Sequence, residues 1–423
     1  MKIIKKYYWL LAFILIILVG FYLRFYGIES SQDFGWDQGR DAWLVRDIIV
    51  KKIVVLNGPR TGVGHFHLGP LWYYLLVPFY YLTNLDPTGA NYLNILVFVL
   101  NLIIIFWVTL KIFGKKTALF TTFIYATNKY LITINRTPWN VSLIPGISTL
   151  IFYGIYQIIF KSNYKWIFII SFLTGVFLHV HFSVVFLPII IAFSLILAKD
   201  KKKTLIYSIL SFPLFLIWFI PNILSDFQTK YNNLNLFSNF FKDYLIRGFH
   251  LRFFIHRLYD AFIQFETILS LPKLNRFIVL IIPAIYFIFL VFEKDKKQKI
   301  LGYLILLWFL IPAFIYAFYG CSTSEYYMLM TSLLVIFIVV YIQKKLLKFN
   351  FKPMILILII FWFIFSYFQT KDLWIKDDTG GLKKQKEEVR QRIRENNKIN
   401  FNEGDIKSYL WQIWVEDKKN KSN

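Results

Sequence analysis

The stretch FGWDQGRDAWLVRDIIVKK, residues 34–52, decides how this chain is read. It follows one long apolar segment and places Asp37, Arg40, Asp41 and Arg46 within ten positions, with Asp47 next. Its apolar residues Trp43, Leu44 and Ile48 recur at helical spacing, which predicts a helix lying in the membrane interface. Asp37 and Asp41, four residues apart, share a face of that helix. One carboxylate can then serve chemistry while the other holds Arg40. A solvated face of i, i+3 and i, i+4 ion pairs is the simpler alternative.

The surroundings make that charge density unusual. The chain of 423 residues is 57% hydrophobic and 20% aromatic, and its apolar residues come in blocks. Each block is about 20 residues long, enough to cross a bilayer core. The formal charge of +24 is distributed mostly as short runs between the blocks. That placement is a topology signal with contact to anionic headgroups, and does not call for nucleic acid. The single cysteine, Cys321, excludes an internal disulfide framework and a cysteine metal cage.

Eleven spans follow from the blocks. They cover about Tyr7–Tyr26, Tyr92–Phe113, Ala118–Ile134, Leu143–Phe160, Trp166–His181, Val184–Ala198, Leu205–Ile223, Phe277–Phe292, Ile300–Tyr319, Tyr327–Ile342 and Met354–Phe368. Lys2, Lys5 and Lys6 put the N-terminus in the cytoplasm, and the first span reads as an uncleaved anchor. The expected class is an all-α polytopic membrane protein with its membrane domain over 1–370. Outer loops run over 27–91 and 224–275, and 371–423 is a charged extracytoplasmic tail or small subdomain. The first outer loop also contains a Gly/Pro-rich turn, LNGPRTGVGHFHLGP, and the short aromatic segment LWYYLLVPFYYL with Trp72 and Tyr73. That segment is too short to span comfortably and reads as a second interfacial helix. The second outer loop is expected to hold an amphipathic helix.

With topology set by lysines alone, the isolated polar residues all fall on the outer side. They are His65 and His67 in the first loop, Arg136 and Trp139 after the third span, His179 and His181 after the fifth, Asp226 after the seventh, and Glu325 with Tyr326 and Tyr327 before the tenth. Ionisable groups at membrane depth are costly and mark function or pair with one another. Arg136 is read as a snorkelling interface residue or a phosphate ligand. His179 and His181 point about 200° apart on a helix, so one faces the site and the other packs. Glu325 either caps the tenth helix or orients a site residue. Four histidines and a carboxylate could hold a divalent metal, but no spacing specifies one, and no other cofactor is indicated.

These residues carry a family resemblance. The basic N-terminus, the single span and the acidic loop motif WDQGRDAWLVRDI resemble the GT-C membrane glycosyltransferases. The likeness is to the protein O-mannosyltransferase and aminoarabinose-transferase group. GPLWYYLLVPFYYLTNLDPTGANYLNIL resembles that group's Pro-rich aromatic segment. KIFGKKTALFTTFIYATNKYLITINRTPWN resembles its next hairpin, with Arg136 near the matching arginine. Gln38 stands where the group usually has Glu, and His179 where a Lys-Gly pair is common. The resemblance implies a polyprenyl-phosphate sugar donor, a protein, lipid or glycan acceptor, and a bacterial-type plasma membrane. It implies Asp37 as general base, with Arg136 and Arg40 on the donor phosphate. The other classes weighed are a transporter or flippase of a lipid-linked or anionic solute, and an envelope-glycan polymerase subunit.

Overall fold

The computed structural model describes residues 2–31, 34–246, 251–269, 278–318, 324–346, 352–373, 380–397, 402 and 404–417. Cys321 lies outside these described residues. Among them the regular elements are helices, and an isolated β-bridge joins Arg60 to His67. In order come α1 (Lys2–Phe25), α2 (Ile28–Ser31), α3 (Trp36–Val50), α4 (Leu71–Leu82), α5 (Thr88–Phe113), α6 (Lys115–Thr127) and α7 (Lys129–Arg136). Next are α8 (Ile144–Lys161), α9 (Trp166–Val180), α10 (Leu187–Leu195), α11 (Lys201–Leu216), α12 (Ile220–Gln228), α13 (Asn232–Phe240) and α14 (Leu251–Leu269). The last are α15 (Ile278–Val291), α16 (Lys296–Ala317), α17 (Ser332–Leu346), α18 (Lys352–Thr370), α19 (Gly381–Arg394) and α20 (Ile406–Trp411).

Each expected span contains helix in its described part, with differences in continuity; the sixth is α-helical only over Leu187–Leu195. The third is broken into α6 and α7, because the Asn128 side chain accepts the Leu131 N–H at 2.9 Å and starts a new helix there. The seventh runs on without a gap through α12 to Gln228, one helical segment of 28 residues. Among the described residues, five segments are by themselves long and apolar enough to cross a bilayer. Others are shorter, such as Trp166–Val180 and Phe182–Leu195, which the bundle and their capping turns complete. In its described part the segment 224–275 holds α13 and α14, and α14 packs against α16.

Polar groups inside the bundle tie helices together, because hydrocarbon offers them no other partner. Asn101 on α5 donates to the Ser142 carbonyl at 2.8 Å. Gly146 lets α8 approach there, since a Cβ on it would lie 2.1 Å from the Asn101 Oδ1. Arg24, fully buried at the end of α1, donates to Asn135 Oδ1 at 3.0 Å and to the Ala126 carbonyl at 2.8 Å. Its guanidinium also lies 3.6 Å over the Phe98 ring. These contacts fix where the chain leaves α1, and so where the segment leading to α3 begins.

Helix ends carry the sidedness. α8, α9, α16 and α17 have their lysine-bearing ends at Lys161, Lys165, Lys296–Lys299 and Lys345. Their opposite ends lead to Asn140, His181, Tyr316 and Tyr326, which all face one cavity. These polar residues gather at the end of the bundle opposite the lysine-bearing ends of these four helices.

Replacing Arg24 by Leu leaves the Asn135 side chain and the Ala126 carbonyl buried without this donor. The expected result is a loss of about 3 kcal/mol, measured as a lower midpoint of thermal unfolding in detergent. An unchanged midpoint would show that the Arg24 contacts do not hold the α1 exit.

Candidate active site

α3 forms the floor of the site, and its start explains Gln38. The Gln38 side-chain oxygen accepts the Gly35 N–H at 3.0 Å, which closes the first turn of the helix. Its amide nitrogen donates to the Pro138 carbonyl at 3.3 Å. A glutamate could make the first bond but not the second, so the amide ties α3 to the turn after α7.

Three charged side chains follow in a relay. Asp41 is 5% exposed at its side chain and Asp37 is 43% exposed, so the two carboxylates have different environments. Asp41 Oδ1 accepts from Arg40 Nη2 at 2.7 Å and Nε at 3.0 Å. Its Oδ2 accepts the Trp72 indole N–H at 2.8 Å. Arg40 then donates through Nη1 to Asp37 at 2.9 Å. Burial raises the Asp41 carboxyl above its ordinary 3.8, against the opposing pull of Arg40 and Trp72. Burial alone would lower the Arg40 guanidinium, but Asp41, Tyr73 and Asp37 outweigh it and hold the group protonated. Asp41 therefore orients Arg40, and Arg40 orients a half-exposed Asp37.

Asp37 opens into a cavity of about 830 Å³. The Gly/Pro-rich turn forms one wall. It is a tight loop in which Gly58 N–H donates to the Leu68 carbonyl at 2.7 Å and Leu68 N–H to the Pro59 carbonyl at 3.0 Å. His65, His67 and Arg60 line the cavity from this loop. The opposite wall is aromatic, with the Trp139 and Tyr326 rings at 4.6 Å and His181 against Tyr326 at 5.2 Å. His181 Nδ1 accepts the Ser183 N–H at 3.0 Å, so the neutral ring carries its proton on Nε2 and offers a donor.

Asp37, Arg40, His65, His67, Tyr73, Trp139, His181 and Tyr326 are thus brought to one hollow. Asp41 and Trp72 stand directly behind it, joined by their hydrogen bond. Two expected residues lie elsewhere. Arg136 is buried at the α1 exit and donates to the carbonyls of Leu23, Tyr26 and Gly27, at 2.7 Å for Tyr26. It satisfies the open C-terminal end of α1 and is not among the cavity's lining residues. His179 is buried behind the loop, contacts the Trp218 carbonyl, and fills the space where Gly69 lacks a side chain. Glu325 opens the short 3₁₀ turn that carries Tyr326.

Residues not singled out in the sequence also line the cavity, including Arg60, Tyr316 and Gly404. Arg60 donates through Nε to the His65 carbonyl at 3.0 Å. Among the described residues it has no carboxylate partner, whereas Arg40 has two. Among the described residues no three His, Cys, Asp or Glu side chains gather as a metal-ligand set.

Substituting Arg40 by Gln leaves Asp41 buried without its cation, and the carboxyl should then hold a proton at neutral pH. Infrared difference spectra should show a new carboxylic-acid band in Arg40→Gln that Arg40→Gln/Asp41→Asn lacks. No band would mean that Asp41 does not depend on Arg40.

No family model and no curated relative matches the sequence. Solved structures do resemble it. ArnT from Cupriavidus metallidurans bound to undecaprenyl phosphate aligns with a TM-score of 0.58 at 13% identity, covering 80% of this chain and 60% of that chain. ArnT from the same organism in the apo state aligns with a TM-score of 0.55 at 12% identity over the same shares. The chain therefore matches about 60% of the length of these ArnT chains. At such low identity the likeness speaks to architecture. The chain is an all-α, multi-pass membrane protein with a GT-C fold.

Proposed function

We propose that this chain is an integral-membrane glycosyltransferase acting at the extracytoplasmic face. It moves a sugar from a polyprenyl-phosphate donor to an acceptor hydroxyl, with Asp37 as general base. The observation that carries this reading is a half-exposed carboxylate, held by Arg40, in a large cavity at the end of the bundle opposite the lysine-bearing ends of α8, α9, α16 and α17. The fold likeness to an ArnT structure bound to undecaprenyl phosphate supports the donor class.

The chemistry follows from the parts. The acceptor oxygen attacks the anomeric carbon as its proton passes to Asp37, and the bond from that carbon to the phosphate oxygen breaks. The electron pair leaves with the polyprenyl phosphate, so one displacement inverts the anomeric centre. Departing phosphate needs a cation that is not already neutralised. Arg60 suits this better than Arg136, which is buried against carbonyls, or Arg40, which is paired twice. His181 adds a neutral donor, and the Trp139 and Tyr326 rings offer apolar faces to a sugar.

The test uses the chain in lipid nanodiscs with a panel of radiolabelled undecaprenyl-phosphate sugars. Asp37→Asn should lower transfer by about 10²–10⁴-fold while undecaprenyl phosphate still binds. Transfer that survives in Asp37→Asn would exclude Asp37 as base. Arg60→Gln should weaken undecaprenyl phosphate binding by about 1.5–3 kcal/mol, and equal binding by Arg60→Gln and wild type would remove Arg60 from the phosphate site.

A further inference from the structure

The charged segment after residue 380 contains an apolar stripe that packs on the floor of the site. Leu382, Val389, Ile406, Tyr409 and Leu410 are fully buried together with Ala42, Val45, Tyr73 and Leu76 of α3 and α4. Polar contacts pin the same interface at several points. Gln385 exchanges hydrogen bonds with the backbone of Phe34 in both directions, at 3.0 and 3.1 Å. Lys386, buried, reaches Asp86 at 2.8 Å, and the Tyr409 hydroxyl donates to the Leu85 carbonyl at 2.7 Å. The segment thus grips the chain just before α3 and just after α4.

Two contacts act on α3 itself. Gly39 lies two residues from Asp37, and a Cβ there would sit 2.0 Å from the Gly404 carbonyl oxygen. Gly404 has φ +106°, a left-handed conformation that favours glycine, and packs against the Trp36 ring. It also lines the cavity. At the far end of α3, Arg46 forms a two-pronged ion pair with Asp417, with Nε at 2.8 Å. These contacts add to the Asp41–Trp72 bond, which joins α3 to α4, and to the Gln38–Pro138 contact, so the segment completes the restraints on a short helix.

We propose that the C-terminal segment is a positioning element of the active site, with Gly404 and Asp417 as its positioning residues. It clamps α3 at both ends and so sets where Asp37 stands. The catalytic part of this inference rests on the glycosyltransferase reading; the clamp itself does not. A small displacement of a reacting group costs about 10²-fold in rate, so a loosened α3 lowers turnover without touching substrate.

The experiment takes the full chain in nanodiscs and compares wild type with Gly404→Val, Asp417→Ala and Asp417→Glu. Amide hydrogen exchange should rise on the order of tenfold across residues 36–50 in Gly404→Val and Asp417→Ala. It should stay unchanged in α5 and α8, and Asp417→Glu should restore protection. With a sugar donor that wild type turns over, kcat should fall while the donor KM holds. The proposal is overturned if exchange in α3 does not change, or rises equally through the bundle. It also fails if α3 loosens and kcat stays at the wild-type value. Absence of transfer in wild type with every donor would count against the assigned reaction, while the exchange result still decides the clamp.

Discussion

A carboxylate buried beside a membrane needs a partner, and the structure around the cavity is arranged about that need. Asp41 is enclosed by α3 and α4 and takes three hydrogen bonds, two from Arg40 and one from the Trp72 indole. An uncompensated charge at this depth would be strongly destabilising. Arg40 is therefore fixed, and its remaining N–H groups are available for Asp37. The Trp72 bond also joins the two interfacial helices, so the loop that carries Asp37 is held in place.

The bilayer explains why so much of this was legible beforehand. Spans must be apolar and helical, and lysines favour one side, so the all-α class and the grouping of most polar site residues followed from composition. The periodicity of Trp43, Leu44 and Ile48 placed α3, and the sharing of one face by Asp37 and Asp41 followed from their spacing. The break between α6 and α7 was less visible. A single Asn128 within an apolar run reads as a tolerated polar residue until its cap is seen.

Roles that depend on three-dimensional neighbours were harder to read. Arg136 looks like a phosphate ligand from its position at a span end, yet open carbonyls of α1 surround it. His179 and His181 are near twins in sequence. Only the close approach of Gly69 makes one a packing residue, while the other lines the cavity. Arg60 was hidden among the glycines and prolines of a turn. The apolar stripe after residue 380 was masked by the lysines and glutamates between its members, because a 14-residue helix with one buried edge has a polar average.

On the proposed reading, the hollow above Asp37 receives the phosphate head of a polyprenyl lipid. Cryo-electron microscopy of the chain in nanodiscs with undecaprenyl phosphate tests this. Phosphate density is expected inside the cavity, within reach of Arg60 and facing Asp37. Density confined to the lipid-facing surface of the bundle, with the cavity empty, would contradict it.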